Sequence, residues 1–192
     1  LTVCSTAVSA ETSGAEPLVV GYVDFPPFTY TNEQGRAAGY LNEITRQVAE
    51  SIQQPLTFRE MPAARLERGL RNGRVNVFQG IRVFADQSEQ IRASDQVLLP
   101  IDLMVYGRPD KAACRGEDRF AGARVGVLRG YAYGGLHDRL ARAGNVELMA
   151  LNARSSAYRV LLNGRVDCVL DYRRPARAAL KELGNPALNG LL

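Results

Sequence analysis

The chain has 192 residues, 46% of them hydrophobic, which is the composition of a globular protein with a sizeable core and excludes an intrinsically disordered chain. Its net charge of +4 comes from arginines scattered along the chain, without the blocks of like charge that bind nucleic acid or anionic lipid. No apolar run approaches the roughly 20 residues needed to cross a bilayer. We therefore expect a soluble protein with no nucleic-acid partner.

The first ten residues, LTVCSTAVSA, are small, apolar and uncharged. Val8 and Ala10 stand at the spacing that signal peptidase requires, and a polar stretch containing Gly and Pro follows them. We expect residues 1–17 to hold the tail of an export leader and a flexible N-terminus, which predicts a periplasmic or otherwise secreted protein. The alternatives are an edge strand over these ten residues and a lipoprotein anchor at Cys4.

The next part of the chain alternates strands and helices. After a first strand over 18–23 comes a helix with four apolar residues on one face at helical spacing: Leu41, Ile44, Val48 and Ile52. A strand over 56–60, a helix over 63–70 and a strand over 75–79 complete a βαβαβ unit. A second such unit is predicted from strands over 124–128, 146–151 and 166–170 and helices near 135–143 and 155–162. A strand over 103–106 lies between the units and is expected to act as a hinge or crossover.

Two segments of the chain repeat each other, LRNGRVNVFQG over 70–80 and LLNGRVDCVLD over 161–171. In each, an apolar helix end meets Asn-Gly, where Gly provides a left-handed C-cap, and a β-rich run follows. The repetition predicts two related α/β lobes: lobe one over 18–102, a hinge crossover over 103–108, lobe two over 109–172, and a return segment toward lobe one over 173–192.

Parallel sheets of this kind bind ligands beyond the carboxyl ends of their strands. We therefore expect a cleft between the lobes, lined by the residues that follow the strands. These are Asp24, Phe25, Gln79, Gly80, Arg82, Arg129, Gly130, Tyr131, Asp171 and Tyr172.

Two cysteines, Cys114 and Cys168, follow the leader, and their spacing does not match a metal site. Export favours oxidation, so we predict one disulfide between them. Two buried free thiols are the alternative.

The order of several motifs resembles the family 3 periplasmic solute-binding proteins, the amino-acid-binding components of ABC importers. The motifs are DFPPFTY followed by NEQGRAAGYLNEITRQVAE, then LRNGRVNV, SDQV, RFAGARVGVLRGYAYG and LLNGRVDCVLD. The resemblance implies a bilobal Venus-flytrap α/β fold, a small polar ligand between the lobes, a membrane permease as partner, a monomer, and no cofactor or metal. The family's chains return to lobe one after the last of these motifs, so we expect lobe one to lack its closing elements here.

The resemblance also implies roles for individual residues. Phe25 matches the aromatic that stacks on the ligand, with a core aromatic as the alternative. Asp171 corresponds to the carboxylate that accepts the ligand's ammonium, although its spacing from Asp167 is one residue shorter than in the family. The alternative for Asp171 is an N-cap. Gly130 and Tyr131 hold the places of the loop whose backbone contacts the ligand.

One position departs from the family pattern. Gln87 stands where the family carries an arginine that binds the ligand's carboxylate, and a neutral amide cannot supply that charge. We propose Arg82 as the substitute cation, with a surface pair to Asp86 as the alternative.

Other functions are weighed against binding. There is no Gly-x-Ser-x-Gly elbow, and the sole histidine, His137, stands beside Asp138 on a polar helix face, which argues against a hydrolase and for a protein that is not an enzyme. A sensory domain of a membrane receptor and a cyclohexadienyl dehydratase-like enzyme are the alternatives on the same fold.

Overall fold

The computed structural model describes residues 15–80, 91–108, 114 and 120–184 of the chain. The first half (15–80) contains β1 (Leu18–Tyr22), β2 (Tyr30–Thr31), β3 (Ala37–Ala38), α1 (Tyr40–Ser51), β4 (Leu56–Glu60), α2 (Ala63–Arg71) and β5 (Val77–Phe78). The second half (101–184) contains β6 (Leu103–Gly107), β7 (Arg124–Leu128), α3 (Leu136–Ala143), β8 (Glu147–Leu151), α4 (Arg154–Leu162), β9 (Cys168–Tyr172) and α5 (Arg173–Leu183). A 3-10 turn over Tyr133–Gly135 precedes α3. The alternation that the sequence predicts is therefore present in both halves.

The sheet of the first half has the order β4-β1-β5, and both pairings are parallel. All five residues of β1 pair with β4, whereas only Val20 and Gly21 pair with β5. The predicted strand over 75–79 is thus reduced to two residues. Between β1 and α1 the chain forms a small antiparallel hairpin of β2 and β3.

The sheet of the second half has the order β6-β9-β7-β8. Strands β7, β8 and β9 are parallel, and β6 runs antiparallel to β9 over its full length. The segment predicted as a hinge or crossover therefore forms one of the two edge strands of this sheet, as far as the described residues show. An extended segment next to an open sheet edge satisfies its backbone groups by pairing there.

The two repeated segments adopt the same turn. After α2, Gly73 has a φ of 72°, and after α4, Gly164 has a φ of 67°. In the first copy the Val19 N–H donates to Asn76 Oδ1 at 2.7 Å, and in the second the Arg124 N–H donates to Asp167 Oδ2 at 2.8 Å. The Asp167 N–H in turn donates to the Arg124 carbonyl at 2.7 Å, and the pairing of β9 with β7 begins at the next residue, Cys168.

The main core surrounds the second sheet on both faces. On one face Val125, Val127, Leu170 and Tyr172 pack with residues of α3 and the 3-10 turn. On the other face Tyr106, Val169, Tyr158 and Leu161 pack with α4 and α5. Cys114 and Cys168 form the predicted disulfide in the first of these clusters, with their Cα atoms 6.2 Å apart.

Most of the apolar face predicted for α1 is exposed, and only Leu41 is half-buried. Ile44, Val48 and Ile52 are exposed, and the helix turns Asn42 and Ala49 inward. Polar contacts fix this orientation, since Asn42 Nδ2 donates to the Ala38 carbonyl at 2.8 Å and Gln79 Nε2 donates to the Leu41 carbonyl at 3.0 Å.

The sequence predicts that residues 173–192 return toward lobe one, and the structure describes this segment as far as residue 184. Helix α5 packs on the second half, with Ala176 fully buried and Ala179 and Leu180 against the same cluster. Its contact with the first half includes the Arg174 guanidinium, 5.7 Å from the centre of the Phe28 ring. Among the helices of the described residues, none combines the length and apolar character of a membrane span.

Candidate functional site

The carboxyl ends of strands from both halves meet at one place. Asp24 and Phe25 follow β1, and the Asp24 carbonyl accepts a hydrogen bond of 3.2 Å from Nη1 of Arg154, the first residue of α4. The Phe25 ring lies 5.3 Å from the Tyr172 ring and 6.4 Å from the Tyr131 ring, measured between centroids. Three of the residues selected from the sequence, Phe25, Tyr131 and Tyr172, are thus neighbours.

A tight turn presents Phe25. The Phe25 N–H donates to the Thr29 carbonyl at 2.7 Å, and the Phe28 N–H donates back to the Phe25 carbonyl at 2.9 Å. The Thr29 hydroxyl donates to the Val23 carbonyl at 2.8 Å, which fastens the turn to the end of β1. Phe28 is buried and stacks on Phe25 at 5.5 Å, so Phe25 has a fixed aromatic support on one side.

The loop after β7 approaches the first half closely at Gly130. Its φ is +80°, and a Cβ at this position would lie 2.7 Å from the Ala64 backbone nitrogen at the start of α2. Only a residue without a side chain fits both the left-handed backbone and this contact. The neighbouring Tyr133 is structural, since its buried hydroxyl accepts the Leu128 N–H at 2.7 Å.

Asp171 forms a buried ion pair with Arg154. Nε of Arg154 lies 2.8 Å from Oδ2 and 3.0 Å from Oδ1 of Asp171. Oδ1 also accepts the Tyr172 N–H, and Oδ2 accepts the Tyr158 hydroxyl. The carboxylate is 1% exposed, so both of its oxygens are engaged within the second half. Tyr172 occupies the N-cap position of α5, which rules out Asp171 as that cap.

Burial and charge shift the titrating groups of this region. Burial by itself lowers the pKa of the Arg154 guanidinium, but the Asp171 carboxylate and Tyr131, through their charges and hydrogen bonds, together outweigh burial and hold that pKa above its usual value. Burial raises the pKa of Tyr172 to about 12. Burial likewise raises the pKa of Tyr131, against the opposing charge of Arg154. Tyr131 and Tyr172 therefore remain neutral hydroxyl groups near neutral pH, while Arg154 remains a cation.

Partial desolvation also raises the pKa of Asp24, opposed by the charge of Arg154 and assisted by Glu60 and Glu182. Asp24 is contributed by the first half and Arg154 by the second, so this is an electrostatic contact between the halves. The contact through the Asp24 backbone carbonyl is the direct one.

Three other residues predicted for the site, Gln79, Gly80 and Arg129, lie in the described part of the chain. Gln79 holds α1, Gly80 is exposed, and the exposed Arg129 donates through Nε to Asn152 Oδ1 at 2.9 Å. Arg82 and Gln87 lie outside the described residues, so their proposed roles stay predictions. Within the described ranges, no group of three or more His, Cys, Asp or Glu side chains could hold a metal ion.

Arg154 is the residue that sequence reasoning missed. It follows β8 by three positions, so the rule that ligand sites lie beyond the carboxyl ends of strands would have included it had β8 been considered. An arginine that begins a helix is itself a signal, because a cation is unfavourable at a helix amino terminus. The Asp171 pair compensates for that placement.

Comparisons with known proteins place this arrangement in context. The sequence model of the bacterial extracellular solute-binding proteins, family 3, matches residues 18–189. A search among curated proteins finds no significant match. Similar solved structures include an ancestral arginine-binding protein bound to arginine, with a TM-score of 0.72, 23% identity, and coverage of 90% of this chain and 76% of that one.

Two other solved structures broaden the comparison. A histidine kinase sensor domain with similarity to periplasmic binding proteins has a TM-score of 0.70 and 22% identity, over 89% of this chain and 74% of that one. The cysteine-binding protein from Campylobacter jejuni has a TM-score of 0.65 and 18% identity, over 88% and 68%. At these identities the likeness establishes the fold, which is that of the two-lobed periplasmic binding proteins.

Proposed function

Because the chain belongs to the bacterial extracellular solute-binding proteins of family 3, we propose that it captures an amino acid or a related amine or acid between its two lobes, in the periplasm, and delivers it to the permease of an ABC importer. The lobes of this proposal are the first and second halves described above. The solved structures it resembles include proteins named for binding arginine and cysteine.

The observation that carries the proposal is the meeting of both halves at one group of residues. Phe25 of the first half packs against Tyr131 and Tyr172 of the second. Gly130 touches the start of α2, and the Arg154 guanidinium reaches the Asp24 carbonyl. A ligand held here would contact both lobes at once.

Such a ligand would act by shifting a population. A ligand that contacts both lobes binds the closed arrangement better than an open one and therefore favours closure. The contacts that this requires are an aromatic wall, a cation, and backbone that a ligand can approach, and Phe25, Arg154 and Gly130 supply them. Closure would then create the surface that a permease recognises.

A second function is supported by one specific likeness, that to the histidine kinase sensor domain. In that case the same closure would signal through a membrane receptor. Stimulation of ATP hydrolysis by the reconstituted permease, with liganded protein and without, separates the two. Stimulation supports import, and its absence with a ligand that demonstrably binds supports sensing.

Thermal unfolding of refolded, extensively dialysed protein tests the proposal. The panel contains amino acids, amines, oligopeptides and aromatic acids. A ligand at a hundred times its Kd should stabilise the protein by about 2.7 kcal/mol, or roughly 5 to 10 °C at this chain length. Ligand recovered afterwards should be chemically unchanged. No shift with any compound, or conversion of the ligand to a product, would refute the binding function.

Gly130→Ala tests closure itself. The new Cβ would overlap the Ala64 backbone nitrogen, so the closed state is disfavoured and the affinity for the ligand found above should fall by about tenfold or more. Gly122→Ala is the matched control, because Gly122 also has a positive φ, of +69°, but nothing lies within 4 Å of its added Cβ. Equal affinities of the two variants would contradict the closure contact.

A further inference from the structure

The region where the two halves meet contains a cation whose terminal edge is only partly used, because Nη1 of Arg154 donates to the Asp24 carbonyl and Nη2 has no partner among the described residues. We propose that the Nη1–Nη2 edge of Arg154, with the hydroxyl of Tyr172, binds the carboxylate of the ligand, and that Asp171 positions Arg154 and does not accept the ligand's ammonium. This inference rests on the proposed function and specifies the chemical class of its ligand as a carboxylic acid.

Two buried polar atoms lack partners where this ligand would bind. Nη2 of Arg154 has no hydrogen-bond partner among the described residues, and the same is true of the Tyr172 hydroxyl. The Arg154 side chain is 8% exposed and Tyr172 is 5% exposed, so water does not readily replace the missing partners. Leaving such donors unsatisfied is unfavourable, which indicates a missing acceptor.

A count of donors supports the same conclusion. The guanidinium carries five N–H groups. Asp171 engages the one on Nε, and the Asp24 carbonyl engages one on Nη1. The Tyr131 hydroxyl also interacts with the guanidinium, through charge and a side-chain hydrogen bond, yet Nη2 stays without a partner among the described residues. A carboxylate is the acceptor that matches two parallel N–H groups on one edge of an arginine.

Asp171 is arranged to hold the guanidinium in place. Its two oxygens are engaged by Arg154, by the Tyr158 hydroxyl and by the Tyr172 N–H, and it is 1% exposed. It therefore offers no free oxygen to an ammonium group of a ligand. It anchors the Nε side of Arg154 and leaves the opposite edge directed at Asp24 and the first half.

The aromatic rings define the rest of the ligand site. The Cζ atom of Arg154 lies 5.6 Å from the Phe25 ring and 5.8 Å from the Tyr131 ring. Those two rings are 6.4 Å apart, so they lie on the same side of the guanidinium rather than on opposite faces. A carboxylate approaching along the edge would thus bring the attached apolar or aromatic group against Phe25 and Tyr131. The ammonium of an amino acid is not required.

Isothermal titration with matched compounds tests the assignment. Each of three skeletons is used as the amino acid, the acid without its amine, and the amine without its carboxylate. The sets are L-phenylalanine, 3-phenylpropionate and phenethylamine; L-norvaline, pentanoate and butylamine; and L-arginine, 5-guanidinopentanoate and agmatine. We expect the wild-type protein to bind the acid of at least one set and not the corresponding amine.

Variants then distinguish the role of Arg154 from that of Asp171. The double variant Arg154→Gln/Asp171→Asn removes both charges together, so neither is left buried alone, and it should weaken binding of that acid by about 10- to 100-fold. Asp171→Asn alone keeps the Arg154 edge but weakens its anchor, so it should weaken binding of the acid less than the double variant does. Arg154→Lys keeps the charge but not the planar edge and should fall between them. Circular dichroism and thermal unfolding confirm that each variant is folded.

Several results would overturn the inference. One is that the wild-type protein binds the amine of a set but not its acid. Another is that Asp171→Asn loses its affinity for compounds with an ammonium group while the double variant still binds the acid. Failure of all nine compounds to bind would also overturn it. If a compound from the wider thermal panel binds with equal affinity to wild type and to the double variant, this inference fails while the proposed function stands. If nothing in that panel binds the wild-type protein, both fail.

Discussion

The two copies of the repeated segment begin alike and end differently. Both place Asn at the helix end, Gly in a left-handed turn, and a buried Val after it, Val75 in the first copy and Val166 in the second. Both then use the next side chain to accept an N–H from the neighbouring strand. From there the copies diverge, because β5 has two residues and β9 has five, all of them buried.

Their neighbours account for the difference. Within the described residues β5 is an edge strand paired only with β1, whereas β9 lies between β6 and β7 and carries the disulfide at Cys168. Local sequence is therefore enough to specify the turn and the capping contact. The length and burial of the strand that follows depend on what the rest of the chain places on either side.

Removing the disulfide should give the largest effect, and it should fall on the second copy alone. The bond joins residues 54 positions apart, and in the chain-entropy model a loop of this size stabilises the folded state by about 4 kcal/mol. Cys114→Ala/Cys168→Ala should lower the free energy of unfolding by that order in urea titrations. Wild-type protein unfolded with and without reductant is the control. A loss under about 1 kcal/mol would show that β9 is held mainly by its two neighbouring strands.

The shared capping contact should give a smaller and more nearly equal effect. Asn76→Ala and Asp167→Ala each remove the acceptor of one backbone N–H, which costs about 1 kcal/mol in unfolding free energy. The loss at Asp167 should be the larger, since it also lies 3.6 Å from the Arg124 guanidinium.

Matched variants and hydrogen exchange check this comparison. Asp167→Asn retains an acceptor and should stay within about 0.5 kcal/mol of wild type. The amide of Val19 should exchange faster only in Asn76→Ala, and that of Arg124 only in Asp167→Ala. Faster exchange of both amides in either variant would mean that the two copies are not independent units.

Much of the fold could be predicted from the sequence because its signals are local. The strands over 56–60 and 124–128 have the predicted bounds, the Asn-Gly turns form, and Cys114 and Cys168 are bonded as predicted. The pairing partner of the strand over 103–106 could not be predicted from local sequence. Its pairing with β9 joins residues about 65 positions apart, and nothing in the strand itself specifies that partner.

The site was predictable to the extent that it follows strand ends. Phe25, Tyr131 and Tyr172 were all selected by that rule and lie together. Asp171 was selected by the same rule, but its ion pair with Arg154 depends on the start of α4 reaching the end of β9. Such a contact between the start of a helix and the end of a strand has no periodic signature in the sequence.

A substitution on the outward face of α1 should have the smallest effect on the free energy of unfolding. It tests whether the first half is packed less fully than the second. Val48 is 57% exposed, so Val48→Gln should change the free energy of unfolding by less than about 0.5 kcal/mol. Ala49 is 6% exposed in the same helix, so Ala49→Gln introduces a larger polar side chain into a packed position and should destabilise by about 1 to 3 kcal/mol. Urea titration of both variants measures the difference, of which the higher helix propensity of Ala over Val accounts for no more than about 0.7 kcal/mol. If Val48→Gln were as destabilising as Ala49→Gln, this face of α1 would be covered in solution, and the first half would be as fully packed as the second.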